Sequence, residues 1–221
     1  MQTVTFIPRP DVEVLLGALT GANCAALIGL SNMGKSTLLR ALSDEAIASR
    51  YQVETGRQAN LIYVDCNRMF DLTDQGFYEV ILRAISESIH DLDGDLQAQV
   101  QACYEKIVRP DSPFDIPLNF NNAMTAILEK SERDIILLLD EFDEAFAALD
   151  GRVFLNLRAL RDKYQRNLSY VTANVRHLGT FRTTADVSEF VELSAAYIHV
   201  LGQGQRPPPF CGEAPRTMVQ R

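Results

Sequence analysis

Gly29-Leu30-Ser31-Asn32-Met33-Gly34-Lys35-Ser36, followed by Thr37, is the stretch on which the reading of this chain turns. It fits the pattern G-x-x-x-x-G-K-[ST]. Ahead of it Cys24-Ala25-Ala26-Leu27-Ile28 is a short apolar run that reads as a buried strand, and behind it Thr37-Leu38-Leu39-Arg40-Ala41-Leu42 reads as helix. The pattern needs that strand–loop–helix setting. Gly29 and Gly34 let the backbone turn tightly and come close to oxygen atoms. Successive N–H groups of the loop, Leu30 to Thr37 included, then face phosphate groups at a helix N-terminus. In such a loop Lys35 reaches the β- and γ-phosphates, and the Ser36 hydroxyl takes a place on Mg²⁺.

A second stretch, Ile135-Ile136-Leu137-Leu138-Leu139-Asp140-Glu141, runs five apolar residues into two carboxylates. An all-apolar strand suits the centre of a parallel sheet covered on both faces. Asp140 then emerges at the strand's C-terminal end, where open α/β sheets place their ligands. It matches the Walker B aspartate that holds Mg²⁺. Glu141 is the natural general base for a water attacking the γ-phosphate.

At 221 residues the chain suits one domain, with room for a small appendage, and 47% apolar content is ample for a core. A net charge of −8 argues against bulk attraction to nucleic acid or anionic membrane. The apolar runs fall far short of the roughly twenty residues that span a bilayer. The first residues lack the basic-then-apolar pattern of a signal peptide. Cys24, Cys66, Cys103 and Cys211 are scattered without a C-x-x-C pair and read as reduced thiols of a cytoplasmic protein, with Cys24 and Cys66 as core packing.

In chain order, Asp11 caps a helix over residues 11–19 whose Val12, Leu15, Leu16 and Leu19 share a face. The helix after the loop is expected to run to about Arg50, with 51–60 a loop and 61–65 the second strand. Asp74 caps a helix to about His90, a weaker helix covers 96–108, and another begins at Asn119 or Asn121. The third strand ends at Asp140. Asp143 and Glu144 then fill a solvated first helical turn. Gly151 interrupts, and 152–166 resumes as a helix with Arg158, Arg161 and Lys163 on a solvated basic face. Residues 168–174 form the fourth strand, 186–193 a short helix and 197–201 the fifth strand. Residues 202–221 are Pro-rich without apolar periodicity. They are expected to be a disordered or extended tail, distinct from the core over 1–201.

The two motifs and the strand order resemble the additional-strand, catalytic-glutamate class of P-loop NTPases, and within it the AAA+ and STAND ATPases, over residues 6–201. The resemblance implies a three-layer α-β-α sandwich around a mostly parallel five-stranded sheet in the order 5-1-4-3-2. It implies ATP as ligand, and no N-K-x-D guanine-reading segment is present. It places the fourth strand between the two motifs, so that Asn174, or Thr172 in its stead, orients the attacking water as sensor 1. Ile7-Pro8-Arg9-Pro10-Asp11-Val12-Glu13 is similar to the segment that covers adenine, with Arg9 a nucleotide contact and Pro8 where the pattern carries glycine. These families carry a helical lid after the fifth strand, where this chain has its Pro-rich tail. A homo-oligomer or a protein partner is therefore expected to supply a lid or an arginine. Arg176 and Arg182 lie where such proteins place a finger arginine. The implied activity is Mg²⁺-dependent ATP hydrolysis coupled to signalling or assembly. The alternatives are a nucleotide-operated switch with little turnover and an AAA+ DNA-associated loader; a small-molecule kinase is disfavoured by adjacent Asp140 and Glu141.

Overall fold

Five strands run parallel in one sheet of order β2-β3-β4-β1-β5: β1 (Cys24–Ile28), β2 (Ala59–Asp65), β3 (Asp134–Asp140), β4 (Leu168–Asn174) and β5 (Ser194–His199). This is the expected 5-1-4-3-2 order read from the other edge. The computed structural model describes residues 10–89 and 93–200. Arg9, His90, Leu201 and residues 202–221 lie outside the described residues. Every residue of β1, β3 and β4 is buried, as strands covered on both faces must be.

Strand alternation sorts the core into two layers. Ile136 and Leu138 of β3 pack with Leu38, Leu39 and Leu42 on the side of α1 (Pro10–Thr20), α2 (Lys35–Leu42) and α3 (Glu45–Thr55). Ile135, Leu137 and Leu139 face the other way, toward α4 (Asp74–Ser88), α5 (Gly94–Val108), α6 (Asp115–Lys130), α7 (Phe142–Ala148), α8 (Gly151–Tyr164) and α9 (Ala185–Val191). Val12, Leu15, Leu16 and Leu19 of α1 are all buried, as their spacing predicts. On the second face Phe142, Phe146, Phe154 and Phe190 form one aromatic cluster, with Phe146 and Phe154 centroids 4.8 Å apart. The cluster roots α7 in the core, and so fixes the backbone just after Glu141.

Several boundaries differ from the expectation. The loop helix stops at Leu42. Asp44 then accepts a hydrogen bond from Ala46 N and starts a second helix, which runs through Tyr51 to Thr55 where a loop was expected. A capping aspartate does this without the glycine or proline that makes a break visible in sequence. Thr73, not Asp74, caps α4, its hydroxyl accepting from Gly76 N. α1 starts at Pro10 and α6 at Asp115, ahead of the expected capping residues. Pro10 and Pro117 sit in first turns, where their missing N–H groups have no intrahelical partner to lose. β5 begins at Ser194, three residues before its expected start.

Candidate functional site

Gly29 is the pivot at which the chain leaves β1. Its N–H donates to Asn174 O at 3.1 Å, while Val200 N donates to Ile28 O at 2.8 Å. The neighbouring strands thus grip the root of the loop from both sides. A Cβ on Gly29 would lie 2.8 Å from Val200 O, so only glycine fits without a shift. Asn32 (φ 64) and Gly34 (φ 89) both take left-handed backbone, which wraps the loop back toward α2. No side chain caps the N-terminus of α2, so its first amides stay open to an anion. Leu30, Ser31, Asn32 and Thr37 are exposed, and Met33 and Ser36 half-buried. Lys35 is 5% exposed. Its Nζ donates to Gly29 O at 2.7 Å and Leu30 O at 3.2 Å, so the ammonium rests against the loop's own carbonyls.

Asp140 ends β3 on the side of the sheet that α2 covers, in register with Asp65 of β2. Its Oδ2 accepts from the Tyr63 hydroxyl at 2.6 Å and its Oδ1 from Glu141 N at 3.1 Å. Arg40, on α2, donates to the Tyr63 oxygen at 3.1 Å and lies 5.0 Å from the ring centroid. Burial, with Asp140 beside it, drives the Tyr63 phenol well above its usual range. Glu141 holds φ 50, ψ 43, a conformation that costs a non-glycine residue about 1–2 kcal/mol. Burial raises the Glu141 carboxyl above the ordinary glutamate value, and Asp140, Asp143 and Asp65 add to the rise while Lys35 opposes it. Gly29 at the root of the loop is bonded to the end of β4, and Asp140 ends the adjoining β3, so the loop and the acidic tip share one corner of the sheet.

Asn174 is wholly buried; its Nδ2 donates to Thr172 Oγ1 at 2.9 Å, and its Oδ1 has no partner. The two residues weighed for the fourth-strand role are thus bonded to each other, and one end of the Asn174 amide is left free. Asp143 corrects the expectation of a solvated turn. It is buried, and its carboxylate receives Val175 N at 3.0 and 2.9 Å, tying α7 to the residue after Asn174. Burial foremost raises its carboxyl. Glu144 is exposed. Arg182 is not a free loop residue either: its Nη1 donates to Leu149 O at 2.6 Å and Phe146 O at 3.2 Å, closing the end of α7. Arg176 is exposed, its guanidinium 4.2 Å from the Phe181 ring centroid. On α8, Arg158 bonds Glu189 O at 2.6 Å and Arg161 bonds Ala22 O at 2.6 Å, so two of the three cations expected in solvent hold elements together.

Sequence reading did not single out Tyr63, Arg40 or Asp65. The period-two spacing of Tyr63 and Asp65 is visible, but the register that sets them beside Asp140 is not. Carboxylate and hydroxyl oxygens, the donors of Asp140 and Ser36, are the kind magnesium takes. A cation there would relieve the crowding of Asp65, Asp140 and Glu141. Among the described residues no group of three or more His, Cys, Asp or Glu is arranged to hold a metal by itself; magnesium in phosphate sites takes one or two carboxylates with phosphate and water. A groove of about 580 Å³ bordered by Asn60, Asp93, Lys130 and Arg133 opens at the other end of the strands and shares no residue with this corner. Among the described residues no helix is long and apolar enough to cross a membrane.

Comparison with known proteins agrees with this geometry. The family model described as AAA domain matches residues 18–178, which takes in both motifs and Asn174. The ORC2 protein of Aeropyrum pernix in its ADP form superposes with a TM-score of 0.62 at 11% identity, over 90% of this chain and 50% of that one. A Walker-type ATPase of Pyrococcus abyssi gives a TM-score of 0.51 at 17% identity, over 88% of this chain and 53% of that one. At such identities the likeness is one of fold, and the chain spans about half the length of these structures. A search of curated proteins finds no match. The family match covers most of the sequence, and with the loop, the acidic strand tip and the strand order it places this protein in the AAA domain family of ATP-binding P-loop NTPases.

Proposed function

We propose that residues 1–201 form an ATPase core of the catalytic-glutamate class, with 202–221 an appended segment. Lys35 and the amides from Gly29 to Thr37 bind the phosphates, Ser36 and Asp140 hold Mg²⁺, Glu141 takes the proton of the attacking water, and Asn174 orients that water. Bound magnesium supplies positive charge against the phosphate oxygens. A carboxyl raised toward neutral pH is a better proton acceptor than an ordinary glutamate. The observation that supports this reading most is geometric: Gly29 at the root of the loop is bonded to Asn174 O at the end of β4, and Asp140 ends the adjoining β3, joined through Tyr63 to Arg40 on the helix that follows the loop. The adenine contact is assigned to Arg9, and the partner to a second copy or another protein that supplies a lid or arginine. The net charge of −8 weighs against DNA as that partner.

Phosphate release by wild type and by Glu141→Gln tests the scheme. The variant keeps ATP affinity and loses turnover by about 100-fold or more; equal turnover well above background removes Glu141 from the mechanism. Lys35→Ala weakens nucleotide binding at least about tenfold, and unchanged affinity would refute the phosphate assignment. The second reading is a slow STAND-like switch: of the two arginines considered as fingers, Arg182 is committed to the carbonyls that end α7, which leaves Arg176 as the exposed candidate. In that case wild type and Glu141→Gln both bind ATP, and both release phosphate at the background rate.

A further inference from the structure

The hydrolysis scheme leaves the contacts between Arg40, Tyr63 and Asp140 without a role. Tyr63 stands opposite Leu138 in the β2–β3 register, two residues before the pair Asp65 and Asp140 and on the same face. Its hydroxyl reaches Asp140 Oδ2 at 2.6 Å. From α2, Arg40 reaches the same hydroxyl at 3.1 Å and covers the ring. The direction of both bonds is fixed. A guanidinium can only donate and an ionised carboxylate can only accept, so the one phenolic hydrogen belongs to Asp140. With Glu141 N on Oδ1, each carboxylate oxygen carries one fixed hydrogen bond, and the rotation of the group is set. An ionised carboxylate has about four acceptor positions, so about two remain for the open corner.

We infer that Tyr63 is a positioning residue that aims the Asp140 carboxylate at the magnesium–nucleotide complex, and that Arg40, carried on the helix of the phosphate loop, aims Tyr63. The inference rests on the reading of Asp140 as a metal-holding residue. Hydrogen bonds to a ligating carboxylate orient it, and losing such a partner typically weakens metal affinity about 10- to 100-fold. Arg40 and Lys35 lie on one helix, so the device also links the metal corner to the phosphate loop. A hydroxyl that served the fold alone would act on the bare protein and on every ligand state alike.

The test is calorimetric titration of full-length protein with ADP and with a non-hydrolysable ATP analogue, in EDTA and in Mg²⁺, for wild type, Tyr63→Phe and Asp140→Asn. Phenylalanine keeps the ring under Arg40 and removes only the hydroxyl. The expected result for Tyr63→Phe is affinity within about twofold of wild type in EDTA and a magnesium-dependent gain reduced about tenfold, with Asp140→Asn losing that gain. If Asp140→Asn loses the gain and Tyr63→Phe keeps it, the role of Tyr63 is overturned and the Asp140 assignment stands. If Asp140→Asn keeps the gain, the assignment of Asp140 falls and takes this inference with it. A Tyr63→Phe loss that is equal in EDTA and in Mg²⁺ also overturns the inference, because it marks a structural contact.

Discussion

Asp134 and Asp140 open and close the same strand, point to the same side of the sheet and are each 1% exposed. Each accepts a hydrogen bond from a tyrosine: Asp134 from Tyr51 at 2.8 Å, Asp140 from Tyr63 at 2.6 Å. There the likeness ends. Arg57 grips Asp134 through Nε, at 3.1 and 2.9 Å from its two oxygens, and through Nη2. Among the contacts of the described residues Asp140 has no ion-pair partner; its arginine stands one hydroxyl away, behind Tyr63. Both ends carry left-handed residues, Asn32 and Glu141 near Asp140 and Ala22 and Gln165 near Asp134, so the difference lies in the charge each aspartate meets. Under the proposed function, Asp134 is a carboxylate paired with a cation within the fold, and Asp140 is one held in place with its charge left for a ligand.

The largest expected effect breaks the closed end. Arg57→Ala leaves Asp134 buried beside neutral Tyr51 and costs about 3 kcal/mol in urea denaturation, with nucleotide affinity of the folded fraction unchanged. A loss below about 1 kcal/mol would show that water reaches Asp134 and that the two ends are not different in kind.

Asp143 sharpens the comparison from the open end, because it is a buried carboxylate given wholly to an amide. Asp143→Ala leaves the Val175 N–H without its acceptor and costs about 1–3 kcal/mol. Phosphate release should fall further than stability alone explains, since the ties between α7 and the end of β4 are cut. Asp143→Asn keeps an acceptor oxygen and should restore most of both; if the asparagine variant behaves like the alanine one, charge and not the hydrogen bond is what matters there. Smaller still is the cost of Asp140→Asn, at most about 1 kcal/mol in the same denaturation assay. The lost acceptor is offset by relief from Asp65 and Glu141.

What the sequence made legible, and what it hid, divides along the same line. β1 and β4 have the bounds their apolar runs predict, the loop and the acidic strand tip follow from local patterns, and the sheet order is the one the family resemblance implied. Period and motif are properties of neighbours in the chain, so they can be read there. Tyr63 and Asp140 are 77 residues apart, and their meeting depends on strand register, which no local pattern encodes. Asp143 looked like a dipole-compatible surface acid because its acceptor role depends on where β4 ends. The break at Asp44 escaped because an aspartate inside an amphipathic stretch reads as one more polar position until its side chain caps a new turn.

The smallest effect bears most directly on the open end. The Glu141 carboxyl is raised in the fold by burial first and by Asp140 next, above the ordinary value of 4.5 it regains on unfolding. The folded state therefore holds its proton at pH values where the unfolded chain has released it. Stability from this group is complete below the ordinary glutamate range and is lost as pH rises through the raised value. Glu141→Gln carries no such proton. In urea denaturation the variant should match wild type at about pH 4 and become modestly the more stable at about pH 7, while being the less active. A gap of one size at both values would mean that the charge of Glu141 is not under repulsion. The open end would then be strained in its backbone alone, through the left-handed turn at Glu141 that glutamine inherits.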